Sequence, residues 1–289
     1  MLAIADYQAE LCVNASLRRL NGLDITDQNH PDQVFSLSPV HPSRPPLAIV
    51  GGMGPLAGAL AFRQACALFQ DSRAIALYQA CSMPDRSTVI LSECRPDTPL
   101  CHEVAFKLAA AVRLAINQIA PDGQTARCIL ACNSAHYFWR LMTDELRLSA
   151  PQVQMISLVD SAVESLRSPS CRKTLLLTTE GARIGKVFST PCHDAGIAFD
   201  EPSPTLSRLV MSTIFEGMKS MDECRAVDRG NELFETILRS GQNYDCILAG
   251  CTELPLTINL LRQNGNHAVA AFLSRVRVVD PLQEALRHA

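Results

Sequence analysis

The chain has 289 residues, of which 47% are hydrophobic, 19% charged and 5% aromatic, with a formal net charge of −3. That length supports one large domain or two lobes with real cores, and scattered basic residues with few aromatics exclude a nucleic-acid-binding stripe. The N-terminal MLAIADYQAELCVNASLRRLNG lacks a basic region before a continuous apolar run, and no apolar span is long enough to cross a membrane, so the expectation is a cytoplasmic protein with free thiols and no membrane partner.

In chain order, residues 1–20 read as an amphipathic helix with Leu2, Tyr7, Leu11 and Leu20 loosely on one face. Residues 24–46 carry Pro31, Pro39, Pro42, Pro45 and Pro46, a linker composition, so 1–46 is expected to be an extension outside the main fold. From Leu47 short apolar runs alternate with helical periodicities. LAIVGG is a strand, followed by a helix from about Pro55; AIALYQAC is a strand; HEVAFKLAAAVRLAINQIA is a helix closed by Pro121-Asp122-Gly123; ARCILAC is a strand and AHYFWRLMTDELRL a helix. A second series follows: strand VQMISL, helix 159–167, strand KTLLLTT, a helix near 184–195, helices 204–219 and 222–240, strand YDCILAG, helix 254–263, strand RVRVV and a last helix 281–288. Strands alternating with helices predict an α/β fold with mainly parallel sheets covered on both faces. Two pseudo-equivalent three-layer lobes are expected, 47–150 and 151–264, with 265–289 returning to the first.

The twelve cysteines include no C-x-x-C pair, and Cys101-His102 and Cys192-His193 lack ligand spacing, so no metal site is expected. Two cysteines stand apart from the rest. Cys132 and Cys251 each end an apolar strand, are each followed by a polar residue, and precede a helix. Ligands in such folds sit beyond the carboxyl ends of the strands, and a helix N-terminus favours thiolate. Facing thiols across one carbon can remove a proton from one side and return one to the other without a cofactor. A free cysteine is nevertheless most often simply buried.

Three segments, IVGGMGPLAG, CNSAHYF and AGCTELPL, resemble the signatures of the aspartate/glutamate racemase superfamily, over most of residues 47–285. The resemblance implies two α/β lobes with the site in the cleft between them, one acid/base cysteine from each (Cys132 and Cys251), no cofactor and no metal. It implies an acidic amino acid as substrate and a homodimer. Asn133, Ser134 and Thr252 match substrate-binding positions, Met53 and Gly54 line the site, Arg86 of MPDRS binds a substrate carboxylate, and Lys219 of IFEGMKS takes the side-chain carboxylate, as in the aspartate racemase branch. Two cationic anchors suit a dicarboxylate, and arginine suits bidentate capture. His136 is either a group that polarises Cys132 or substrate, or a packing residue at the helix start.

The sequence departs from the pattern after Thr179. The T-x-G-T segment reads Thr179-Glu180-Gly181-Ala182, and the following S-G-x-Y reads Gly185-Lys186-Val187-Phe188, with Arg183 beside the altered position. Losing one hydrogen bond to a charged ligand group costs about 1.5–3 kcal/mol, enough to change substrate preference. The leading expectation is an acidic-amino-acid racemase. A maleate isomerase-like cysteine enzyme, in which a thiol adds to a double bond, and a non-catalytic binder of acidic amino acids are the alternatives.

Overall fold

The computed structural model describes residues 32–289 apart from Pro55 and Cys94; the helix read over 1–20 and the proline at the first turn of the 55-onward helix lie outside the described residues. The described chain is α/β, with one five-stranded and one four-stranded sheet.

The first sheet has the order β1 (Gln33–Leu37), β3 (Ile75–Gln79), β2 (Leu47–Gly51), β4 (Ala126–Leu130), β5 (Val153–Ile156), with β1 antiparallel to β3 and every other pairing parallel. The second has the order β7 (Phe199–Asp200), β6 (Thr174–Thr178), β8 (Cys246–Gly250), β9 (Arg277–Val279), all parallel. The central strands are buried along their whole length, as sheets covered on both faces require.

Side chains alternate across each sheet. Val50, Tyr78 and Leu130 face a core under the long helix α3 (Pro99–Asn117), whereas Ile49, Leu77 and Ile129 face α1 (Ala57–Phe69). In the second lobe Leu177, Ile247 and Ala249 face α8 (Pro204–Ser212), α9 (Glu223–Arg239) and α10 (Leu254–Asn264). Leu176 and Leu248 face α5 (Leu158–Leu166) and α7 (Ser189–Asp194). Burial of each such leucine or isoleucine stabilises by roughly 1.5–3 kcal/mol.

The lobe boundary differs from the sequence division at two strands. β5, read as opening the second lobe, pairs with β4 in the first sheet, and β9, read as returning to the first lobe, pairs with β8 in the second. Each is followed by a helix that crosses over: α5 covers the second sheet, while α12 (Pro281–Arg287) buries Leu282, Ala285 and Leu286 against the first. β1 lies inside the segment read as linker; its phenylalanine and valine give it an edge to pair with β3.

Other differences have local causes. The helix read near 184–195 is two short ones, α6 (Glu180–Ile184) and α7, separated where Lys186 takes a positive φ of 52°. The helix read over 204–219 stops at Ser212 and continues as a π turn, Thr213–Gly217, and a 3₁₀ turn, Met218–Ser220, ended by Met221 at φ 57°. Helices α2 (Arg86–Glu93), α4 (Trp139–Ser149, preceded by a 3₁₀ turn over Ser134–Phe138) and α11 (His267–Arg275) complete the order. Among the described residues no helix is long and apolar enough to cross a membrane.

Candidate active site

The parallel strands of both sheets deliver their carboxyl ends to one small cavity. β4 contributes Ala131, Cys132, Asn133 and Ser134; β6 contributes Thr179; β8 contributes Cys251, Thr252 and Glu253. The loop after β2 adds Met53 and Gly54, the start of α2 adds Arg86 and its neighbours, and the 3₁₀ turn adds Lys219. Every site residue expected from the sequence therefore lines the same space, drawn from both lobes. That space is about 20 Å³, room for one water-sized group, so an amino acid enters only when the walls separate.

Cys251 is buried, and its Sγ donates to Glu253 Oε2 at 3.0 Å; Thr252 Oγ1 donates to the same oxygen at 2.9 Å. Burial first, and then the Glu253 carboxylate, push the Cys251 thiol well above its usual range, and the Lys219 ammonium only partly opposes them. The depressed thiol expected from the helix start is thus not found at Cys251, because burial and then the adjacent Glu253 carboxylate both disfavour the thiolate there. Glu253 is itself buried and its Oε1 has no hydrogen-bond partner. Gly54 makes the close approach possible: a Cβ there would come within 2.5 Å of Glu253 Oε1.

Cys132 is half-buried, at the turn leading into the 3₁₀ segment. Its carbonyl accepts from His136 Nδ1 at 3.0 Å, while His136 Nε2 accepts from the Leu158 amide at 3.0 Å. These two bonds fix the neutral Nδ1–H tautomer. The ring stacks on Trp139 with centroids 4.7 Å apart, and burial pushes its pKa down to about 4. His136 is therefore the packing residue of the two alternatives, a brace joining the Cys132 turn to α5.

Next to it, Asn133 is buried with neither Oδ1 nor Nδ2 hydrogen-bonded. Buried polar groups without partners cost about 1–3 kcal/mol each, and Asn133 with Glu253 Oε1 brings acceptor and donor capacity together in one cavity. Ser134 Oγ and Thr179 Oγ1 bond at 3.0 Å across the two lobes, and Thr179 caps α6 by accepting from the Ala182 amide at 3.3 Å. Thr179 is thus engaged with protein on two sides, and Ala182 contributes its backbone amide and no hydroxyl.

Arg86 is buried, and its guanidinium donates to the carbonyls of Met53 and, at 2.6 Å, Pro84. Expected from the sequence to meet a substrate carboxylate, here it braces the Met53 loop, and its Nε alone is unpartnered. Lys219 lies over the Phe215 ring, with Nζ 4.1 Å from the centroid. The π turn followed by a tighter turn is what swings this lysine toward the cavity; such irregular turns recur at functional sites.

Asp85, Ser87 and Glu253 also line the cavity and were missed as site residues, although MPDRS and GCTE contain them. Asp85 carried a readable signal: its Oδ1 accepts from the Thr88 amide at 2.7 Å and from the Thr88 hydroxyl at 2.9 Å, a capping pattern at a helix start. Burial alone would raise its pKa, but Arg86, Lys219 and the Thr88 hydrogen bonds outweigh that and hold it low. For Glu253, a carboxylate directly before an apolar helix was the only hint.

Residues 50–289 match the model of the Asp/Glu/Hydantoin racemase family. The fold is similar to that of Picrophilus torridus aspartate racemase, at a TM-score of 0.63 and 18% identity, covering 85% of this chain and 92% of that one. It is also similar to an aspartate racemase homologue from Pyrococcus horikoshii, at a TM-score of 0.55 and 19% identity, covering 85% and 97%. At such identities the likeness is one of fold, while the family model spans nearly the whole described chain with both cysteine-ended strands inside it: the chain belongs to the Asp/Glu/hydantoin racemase family.

Proposed function

We propose that the protein is a cofactor-independent racemase of an acidic amino acid, aspartate first, with Cys132 and Cys251 as its two acid/base groups. The observation that carries this reading is the joint lining of one cavity by both thiols, one from each lobe, beside Lys219 and the unpartnered Asn133 amide.

The two thiols start in different states. Cys251, held above its usual range by burial and Glu253, carries a proton. Cys132 acts as the thiolate, removes the Cα proton of one enantiomer and becomes a thiol. Charge passes to the substrate carboxylate as an enolate-like dianion, stabilised by the unpartnered Asn133 amide, by the Thr252 hydroxyl once it turns from Glu253 to the substrate, and by the cavity's exclusion of water. Cys251 then delivers its proton to the opposite face of Cα, which inverts the centre and leaves Cys251 as the thiolate. Lys219 offsets that negative charge and anchors the side-chain carboxylate. The opposite enantiomer runs the same steps backwards.

Incubation with each enantiomer of aspartate and of glutamate in D₂O tests the reading, with maleate assayed alongside. The expected result is deuterium at Cα and loss of optical activity with an acidic amino acid. Absence of both for every acidic amino acid, or turnover of maleate alone, sinks it. A homodimer is the assembly expected with this function, and light scattering on the full chain reads it directly.

A further inference from the structure

A second cleft, of about 650 Å³, opens on the other side of the Lys219 wall, between α6, α8 and the π turn. Its volume falls in the range of small-molecule sites. Ser207 lines it while only 6% exposed, and its hydroxyl has no hydrogen-bond partner. Arg183 lines it too; among the described residues its Nε is buried and unpartnered, and its ion pair from Nη2 to Glu180 is long at 3.8 Å. The Nε edge of a guanidinium is suited to taking a carboxylate in two parallel hydrogen bonds. Met211 and Phe215 supply apolar wall. The carboxylates differ: Glu216 is committed to Ser212 and Arg229 at 2.7 and 3.1 Å, whereas among the described residues the Glu180 carboxylate has just the long contact to Arg183.

We propose that this cleft binds a zwitterionic amino acid with an apolar side chain, its carboxylate on Arg183 and Ser207, its ammonium on Glu180 and its side chain over Met211 and Phe215. No described residue lines both this cleft and the cysteine cavity, but their linings adjoin at two points. Glu180 directly follows Thr179, and the Phe215 ring supports Lys219. An occupant that moves either wall changes affinity in the cysteine cavity, and the coupling is reciprocal.

Calorimetric titration of L-leucine and L-methionine into the full chain tests this without reference to catalysis. One site per chain is expected, insensitive to one-for-one displacement by aspartate. Arg183→Gln and Ser207→Val are each expected to weaken binding about tenfold, the loss of one charged or buried hydrogen bond, and Met211→Trp, which fills the cleft, to abolish it. 4-Methylpentanoate and 3-methylbutylamine, each lacking one charge of leucine, are expected to bind about tenfold more weakly. Thermal melts check that each variant is folded, and the ligand series on the unaltered chain decides the matter if one is not. No heat with either amino acid, 4-methylpentanoate binding as well as leucine, unchanged binding in folded Arg183→Gln and Ser207→Val, or one-for-one displacement by aspartate would each overturn the proposal.

Discussion

Cys132 and Cys251 leave the ends of corresponding strands in the two lobes, yet the surroundings of the two sulfurs have little in common. Around Cys132 the polar neighbours are neutral: a half-buried thiol, a backbone carbonyl held by His136, and the Asn133 amide. Around Cys251 they are charged: a buried thiol bonded to Glu253, with Lys219 close enough to be felt. Two similar strand-turn-helix units thus produce two differently bonded thiols, and the one beside Glu253 is pushed toward keeping its proton by burial and that carboxylate. A two-base reaction in which one group must begin protonated and the other unprotonated needs such an inequality.

The largest effect tests whether both edges are required. Cys132→Ser and Cys251→Ser are each expected to lower racemisation by about a thousandfold, within the range for losing a general acid or base, read by polarimetry. Each variant should still exchange the Cα proton of one enantiomer only, a different one for each; symmetric exchange in either variant would show that the edges are not distinct.

Glu253→Gln tests where the inequality originates. It removes the charge that helps hold the Cys251 thiol up, so the pH at which Cys251 becomes alkylated by iodoacetamide is expected to fall, with about a tenfold loss of turnover. Peptide mass spectrometry across pH reads the first effect, and an unmoved or upward shift contradicts the assignment.

His136 probes the neutral edge. Its pKa falls from 6.5 to about 4 because burial disfavours the charged ring. Since the folded value lies below the unfolded one, its contribution to stability is present above pH 6.5 and is lost as pH falls toward 4. The stability advantage of the native chain over His136→Gln should therefore be greatest above pH 6.5 and shrink by roughly 3 kcal/mol on acidification to pH 4. Urea titrations at a series of pH values measure it, and an advantage that grows on acidification refutes the buried neutral ring.

The smallest effect concerns the bond between the lobes. Ser134→Ala removes the 3.0 Å contact to Thr179 and is expected to cost about 1 kcal/mol of stability, while leaving the Thr179 cap on α6 in place. Chemical denaturation detects that loss; a change above about 3 kcal/mol would mean the bond holds more than one pair of hydroxyls.

Much of this molecule was legible before its structure. Apolar runs such as LAIVGG, KTLLLTT and YDCILAG announced buried parallel strands, because a strand covered on both faces needs hydrophobic residues at every position. β1 was hidden by the prolines around it, β7 by its length of two residues, and α2 by a start signal, Asp85 with Thr88, that stands close to neighbouring prolines. The lobe boundary was misread because β5 and β9 look like any other strand locally; which sheet a strand joins depends on partners distant in the chain.

Local sequence determined most strands, most helices and the positions of both cysteines at strand ends, since periodicity and capping act within a few residues. Tertiary structure decided that Glu253 is buried against Cys251, that Arg86 reaches the carbonyl of Met53, and that His136 is a neutral brace. The Met53 carbonyl on Arg86 and the Leu158 amide on His136 are brought in from distant parts of the chain, whereas the Glu253 and Pro84 contacts are local in sequence and take their weight from the burial that the fold imposes on them.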